Sequence, residues 1–276
     1  MVYWAKRERT YVYVATGASA AMILIVAILV WTTNNNFANY LVAVSAIVVL
    51  TPMAVIYELE NRWKTKIENS IPDLLEDIGE GQLAGMTFVK ALESSASKNF
   101  GPLTDELRRV LNNIRVGGTV EEAFQILADR VSSRIVRMAT TIIIETNRSG
   151  GDIDRIVRTM ANYFWELKAM AMERRGTMRI YVAITYISFI ILLVTIMIIL
   201  NQLLFPLVSG SGTPLFTSEA SYGQYRLVLF HMTLILAIAT GLTAGKMGEG
   251  KIRSGLKHAV IMTAISTVVF AFLIIA

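Results

Sequence analysis

The 276-residue chain contains no cysteine and only two histidines, His231 and His258. Disulfides, thiolate metal sites and cysteine nucleophiles are therefore excluded, and a histidine-based metal site is disfavoured. Charge is scarce too: Asp, Glu, Lys and Arg make up 17% of the chain, against 54% hydrophobic residues. Both figures depart from a soluble domain in the direction of a membrane protein. Catalytic signatures are also missing. No G-x-x-x-x-G-K-[ST] loop is present, so the chain offers no P-loop for a nucleotide. Neither H-E-x-x-H nor G-x-S-x-G occurs. No acid lies well inside an apolar run, which weighs against an ion-coupled transporter or pump. The sequence implies no enzyme, no cofactor and no metal.

What charge there is follows a pattern. The net charge is +5, yet residues 58–179 hold 18 basic and 18 acidic residues and are neutral. The excess sits at Lys6, Arg7 and Arg9 and again at Lys246, Lys251, Arg253 and Lys257, beside apolar runs. That distribution fits the positive-inside rule and membrane lipid as a neighbour; it gives no support to a nucleic-acid binder.

The apolar runs are 12–32, 37–57, 180–201, 225–245 and 258–276. A run of about 20 residues crosses the roughly 30 Å hydrocarbon layer as a helix. A secretory signal peptide competes for the first run, because basic residues precede it. The run exceeds a signal core, however, and no small-residue cleavage site follows. The charges then orient the chain: N-terminus, 58–179 and 246–257 cytoplasmic, with the Asn-rich turn, the loop 202–224 and Ala276 outside. The chain divides into 1–57 (tail and two spans), 58–179 (polar domain) and 180–276 (three spans). His231 stands alone in its span and reads as a histidine hydrogen-bonded between helices. Ala237, Gly241 and Gly245 form a small-residue ridge suited to close helix packing.

Within 58–179 one short pattern recurs at Gly85, Gly117 and Gly150-Gly151, with a Thr or Asp following at 87, 119 and 152. Glycine ends a helix in the left-handed conformation, and the Thr or Asp caps the next by accepting orphan N–H groups. Residues 58–69 read as a charged helical extension of the second span. Ser70 with Asp73 and Pro72 predicts a fresh helix start there. Gly101-Pro102 opens another helix, whose apolar residues Leu103, Leu107, Val110, Leu111 and Ile114 lie on one face. Thr119 with Glu122 forms a capping box. The helix at 133–148 is apolar nearly all round and is expected at the centre of a bundle. The sixth helix starts at Asp152 and runs on toward the third span, with Gly176 its first flexion point.

The expected fold is all-α: five transmembrane helices and a cytoplasmic six-helix bundle of three helical hairpins. Several residues are candidates for contacts. Arg108, Arg109 and Arg115 lie off the apolar face; they are either a solvated face or a docking surface for an acidic partner. Glu80 and Glu145 each lie five residues before a turn glycine, where the helix dipole disfavours an acid. A cation-contacting or partner role competes there with simple pairing, for instance to Arg148. The turn residues Pro72, Gly85, Gly101, Gly117, Gly150 and Gly151 read as architectural.

The ordered set Ile71-Pro72-Asp73-Leu74-Leu75, Ala84-Gly85-Met86-Thr87, Gly101-Pro102-Leu103, Gly117-Gly118-Thr119-Val120 and Ser149-Gly150-Gly151-Asp152-Ile153 resembles the cytoplasmic domain of the type II secretion F family. These are membrane platform proteins of type II secretion systems, type IV pili, Tad pili and archaella. Two spans before the domain and three after it resemble the archaeal branch. The resemblance covers about 65–178 and implies a hexameric cytoplasmic secretion ATPase and pilin-like subunits as partners. Many members carry two such domains in one chain and this sequence carries one, which implies a homodimer or a heterodimer with a sister protein. The rival reading is a transporter or channel with a cytoplasmic regulatory helical domain.

Overall fold

The computed structural model describes residues 6–31, 35–149, 153–206 and 222–275. Every regular element among them is helical. In order they are α1 (Lys6–Trp31), α2 (Asn35–Leu83), α3 (Phe88–Ser97), α4 (Pro102–Arg115), α5 (Val120–Val131), α6 (Arg134–Ser149), α7 (Ile153–Ile198), α8 (Tyr222–Glu249) and α9 (Leu256–Ile275). α7 continues into a π-helical segment, Ile199–Leu204, and a 3₁₀ turn, Ile252–Gly255, precedes α9. The chain forms two compact units, an apolar one (Tyr3–Glu58 with Arg175–Ala276) and a polar one (Leu59–Arg174).

The apolar unit has the character of a multi-pass membrane protein. Four stretches are long and apolar enough to cross a membrane: Ala38–Leu83, Thr159–Leu204, Tyr222–Glu249 and Ile252–Phe272. Val14–Leu29 in α1 is a shorter apolar helix. Phe189, Leu193, Phe230, Leu234, Met262 and Phe270 build a core shared by α2, α7, α8 and α9, against which Tyr40 and Tyr186 pack. Tyr40 Oη donates to the Phe270 carbonyl (3.0 Å), and the buried Ser266 and Thr233 hydroxyls meet at 3.2 Å. Paired hydroxyls of this kind satisfy polar groups that lipid cannot. The small-residue ridge on α8 is where α9 comes closest. A Cβ on Gly241 would meet the Ala259 backbone at 2.3 Å, and one on Gly245 would meet the Gly255 nitrogen at 2.0 Å. His231 gives its Nδ1 hydrogen to the Leu227 carbonyl at 2.8 Å, one turn back on the same helix.

The polar unit buries one hydrophobic core. It draws on Ile71, Leu74, Leu75 and Ile78 of α2, Leu92 of α3, Leu103 and Leu107 of α4, Phe124 and Leu127 of α5, Val136 and Ile143 of α6, and Phe164 of α7. The turns follow the glycine logic. Gly85, Gly101 and Gly117 all have left-handed φ values of 83°, 62° and 98°. Thr87 caps α3 through Lys90 N, and Thr119 and Glu122 form the capping box of α5. Gly150, Gly151, the Asn-rich turn at 32–34 and the loop at 207–221 lie outside the described residues.

Two expectations fail here. No helix begins at Ser70, because α2 runs unbroken through it. The Ser70 hydroxyl bonds back to the Lys66 carbonyl at 3.1 Å, as a mid-helix serine does, and caps nothing. Pro72 therefore sits inside the helix and costs about 3 kcal/mol there. Burial of Ile67, Ile71, Leu74, Leu75 and Ile78 on the same helix offsets it, at roughly 1.5–3 kcal/mol per side chain. The second failure is α6, which is not buried all round. Arg134, Arg137, Thr141 and Glu145 form an exposed stripe opposite Val136, Ala139, Thr140, Ile143 and Ile144. Their three- and four-residue spacing marks a polar face that the isoleucine run conceals.

Candidate functional site

α4 is the most clearly two-sided helix of the polar unit. Leu103, Leu107, Val110 and Leu111 are buried, while Asp105, Arg108, Arg109, Asn112 and Arg115 are exposed. The spacing that buries the leucines places the three arginines outward. They do not form one free cluster, however. Arg115 Nη2 donates to Glu93 Oε1 of α3 at 3.0 Å. That bond, helped by the charges of Arg115 and Lys90, holds the Glu93 carboxyl below its usual range. Arg109 Nε lies 3.8 Å from Glu106. Arg108 has no ion pair among the described residues and stays exposed. Beside Arg115, Val116 presents an apolar side chain that is 85% exposed at the turn.

The feature that sequence reasoning overlooked is Glu106. It is buried, and its second oxygen meets Arg130 Nε of α5 at 3.2 Å. One carboxylate thus ties α4 to α5 and holds the base of the arginine face. The signal was available: Glu106 lies three residues after Leu103, on the stripe that goes inside. Two further bonds brace α2. Asp77 pairs with Lys98 after α3, which holds the Lys98 ammonium above its usual range. The Ser133 hydroxyl, which accepts from Ile135 N, donates to Glu68.

Glu80 and Glu145 are both exposed, so neither is a buried acid. Glu80 adds a favourable charge to Lys98. Among the described residues no group of three His, Cys, Asp or Glu side chains is placed to hold a metal.

Residues 74–200 match the family model for the type II secretion system (T2SS) protein F. This stretch is a T2SS protein F domain. It takes in α2 from Leu74, all of α3 to α7, and the start of the π-helical segment. Proteins of the family are membrane platform components rather than enzymes, and generally work with a secretion ATPase and pilin-like subunits. Two curated relatives come from Methanocaldococcus jannaschii. "Uncharacterized protein MJ1286" is 29% identical over 78% of this chain and 36% of its own length. "Uncharacterized protein MJ0779" is 28% identical over 48% of this chain and 44% of its own length. The chain thus spans less than half the length of either relative. No solved structure matches it. Glu106, Arg130 and the three α4 arginines all fall inside the F domain, as do Gly85, Gly101, Gly117 and both exposed acids.

Proposed function

We propose that the protein is an assembly platform in the cytoplasmic membrane for a type IV pilus-like or archaellum-like filament. The observation that carries this is the F domain at 74–200, whose first and last helices also run through apolar stretches able to cross a membrane. In this reading α1 is a fifth span beside the four long ones. The polar unit faces the cytoplasm as a six-helix bundle, and the C-terminus lies outside. A hexameric secretion ATPase docks on the bundle, with the exposed α4 arginines as its contact. Arg108 is the leading residue because its charge is not committed to a neighbour. Pilin-like subunits meet the spans, and a second copy or a sister platform protein completes the assembly.

The mechanism follows from the long helices. Residues 58–69 of α2 and 164–178 of α7 act as levers. Lys168 Nζ ties them together through the Asn69 carbonyl at 3.1 Å. Motion of the ATPase is carried along them into the spans, which lift subunits into the filament. The test is binding between the full chain in nanodiscs and the cognate ATPase. Association is expected at or below the order of 10⁻⁵ M, and its absence there sinks the reading. Arg108→Glu should weaken it by about 1–2 kcal/mol, as reversal of a rim charge does. An unchanged affinity removes α4 from the interface.

A further inference from the structure

α7 is packed toward both ends and bare in between. Phe164 is buried in the core of the polar unit, and Phe189 and Leu193 in that of the apolar unit. Every residue from Ala169 to Thr177 is exposed, although the helix is unbroken there. The charges of Glu166, Lys168, Glu173, Arg174 and Arg175 keep this stretch in water, so lipid does not cover it. Yet it is not polar all round. Trp165, Ala169, Met172, Gly176 and Ile180 recur every three or four residues and make one exposed apolar stripe.

Two features of the stripe say what covers it. The first is its small residues. A Cβ on Gly176 would meet nothing within 4 Å, so packing within the chain does not call for a glycine there. Ala169 and Gly176, seven residues apart, would let a second helix come close. The second feature is charge sorted by sign. Helical periodicity puts Glu166 and Glu173 along one edge of the stripe and Lys168, Arg175 and Arg179 along the other. When two such helices run parallel about a two-fold axis, the acidic edge of each meets the basic edge of its partner; antiparallel, like edges meet. Copies of one membrane chain share one orientation, so parallel is the arrangement open to them. The sorting avoids like charges even where a side chain also has a neighbour on its own chain. Lys168, for one, reaches the Asn69 carbonyl and lies 4.0 Å from the Trp165 ring centroid.

We propose that a second copy of the chain packs along this stripe, α7 against α7 in parallel, with Trp165, Ala169, Met172 and Gly176 at the seam. A partner of one charge sign would be repelled along one edge, whereas the stripe is complementary to itself. Self-pairing here rests on the second-copy reading above but requires neither filament nor ATPase, so the two can fail separately.

Because the chain has no cysteine, single substitutions report the contact cleanly. Met172→Cys and Met170→Cys are introduced separately into the full chain, which is oxidised in membranes with copper phenanthroline. The two methionines are almost equally exposed, at 57% and 56%. Two residues apart on a helix, they point about 200° away from each other, so only position 172 lies on the seam. Met172→Cys is expected to give a disulfide-linked species of twice the chain mass, because a disulfide needs Cα atoms about 4.4–6.8 Å apart. Ala169→Cys should do the same, and Met170→Cys should give at least about tenfold less. Met172→Glu changes only an exposed side chain on a single copy, so thermal unfolding should not move. It sets two like charges at the seam, and should weaken dimerisation in detergent by on the order of a hundredfold. Equal linking at 170 and 172 overturns the proposal, since it marks random collision. So does no linking at either 169 or 172, or a dimer that survives Met172→Glu. A linked species of any other mass also overturns it, because a different protein then covers the stripe. Loss of ATPase binding with linking at 172 intact would sink the filament reading alone.

Discussion

Gly245→Ala is the sharpest probe of the apolar unit, because its effect follows from distances alone. The added methyl would lie 2.0 Å from Gly255 N, 2.1 Å from Gly255 Cα and 2.6 Å from Ser254 C. All three are backbone atoms, so no side chain can rotate away. Reaching ordinary contact near 3.5 Å requires the helices to part by roughly 1.5 Å at this end. Overpacking of this kind costs about 1–3 kcal/mol. Strain on the Thr233–Ser266 bond farther along the same pair adds up to about 1 kcal/mol. Alanine's better helix propensity returns about 1 kcal/mol. The expected net loss is about 2 kcal/mol, read as a shift of the unfolding midpoint in mixed micelles of increasing sodium dodecyl sulfate. Two other helical glycines calibrate the assay. Gly176 has open space at its Cβ, so Gly176→Ala should gain about 1 kcal/mol. A Cβ on Gly248 meets only the Val182 Cγ2 methyl at 3.1 Å, which can give way, so Gly248→Ala should fall between the two. If Gly245→Ala is as stable as Gly176→Ala, the close α8–α9 contact is refuted.

Four further outcomes test the polar unit. Glu106→Ala removes the ion pair between α4 and α5, and because Arg130 is only partly buried the loss should be about 2 kcal/mol by urea unfolding, less than for a fully buried pair; Glu106→Leu with Arg130→Leu should recover part of it. Thr119→Ala should cost about 1 kcal/mol and Thr119→Ser a few tenths, since the serine hydroxyl still accepts from Glu122 N. Glu93 titrates below its unfolded value of 4.5 because of Arg115, so its contribution is present above that value and is lost as pH falls through the lower folded pKa; Arg115→Gln should flatten that acid dependence by lowering stability slightly above the window and leaving it unchanged below it. Lys98 gives the mirror case: raised above 10.5 by Asp77, its contribution holds below 10.5 and is lost as pH rises through the folded pKa, and Asp77→Asn should abolish that alkaline dependence.

How much of this was legible depended on whether the signal was local. α4 and α5 could be read to within a residue or so, because an apolar stripe and a cap together define each helix. Ser70 misled because S-x-x-D with Pro72 is a good local start signal. The core contacts that keep α2 continuous come from residues far away in sequence, so tertiary packing overrode the propensity. The π-helical segment Ile199–Leu204 left no trace in an apolar sequence, where every register looks alike. Gly241 and Gly245 announced a close packing face, but a row of small residues does not name its partner. Ala259 and Gly255 emerged only from the fold.

The arginine face shows the same limit at the level of function. Sequence placed Arg108, Arg109 and Arg115 outward correctly, since their helical positions follow from the leucines opposite them. It could not tell that they differ, because that depends on which acids the neighbouring helices bring near. Glu93 arrives from α3 and takes Arg115, and Glu106 turns inward beneath Arg109. Engaged arginines carry a cost in any docking event, since a partner must first compete with the existing bond. Arg108 carries no such cost. An acidic partner on this face should therefore depend on Arg108 most and on Arg115 least. Between the two ion-paired arginines this runs against exposure, because Arg115 is more exposed than Arg109.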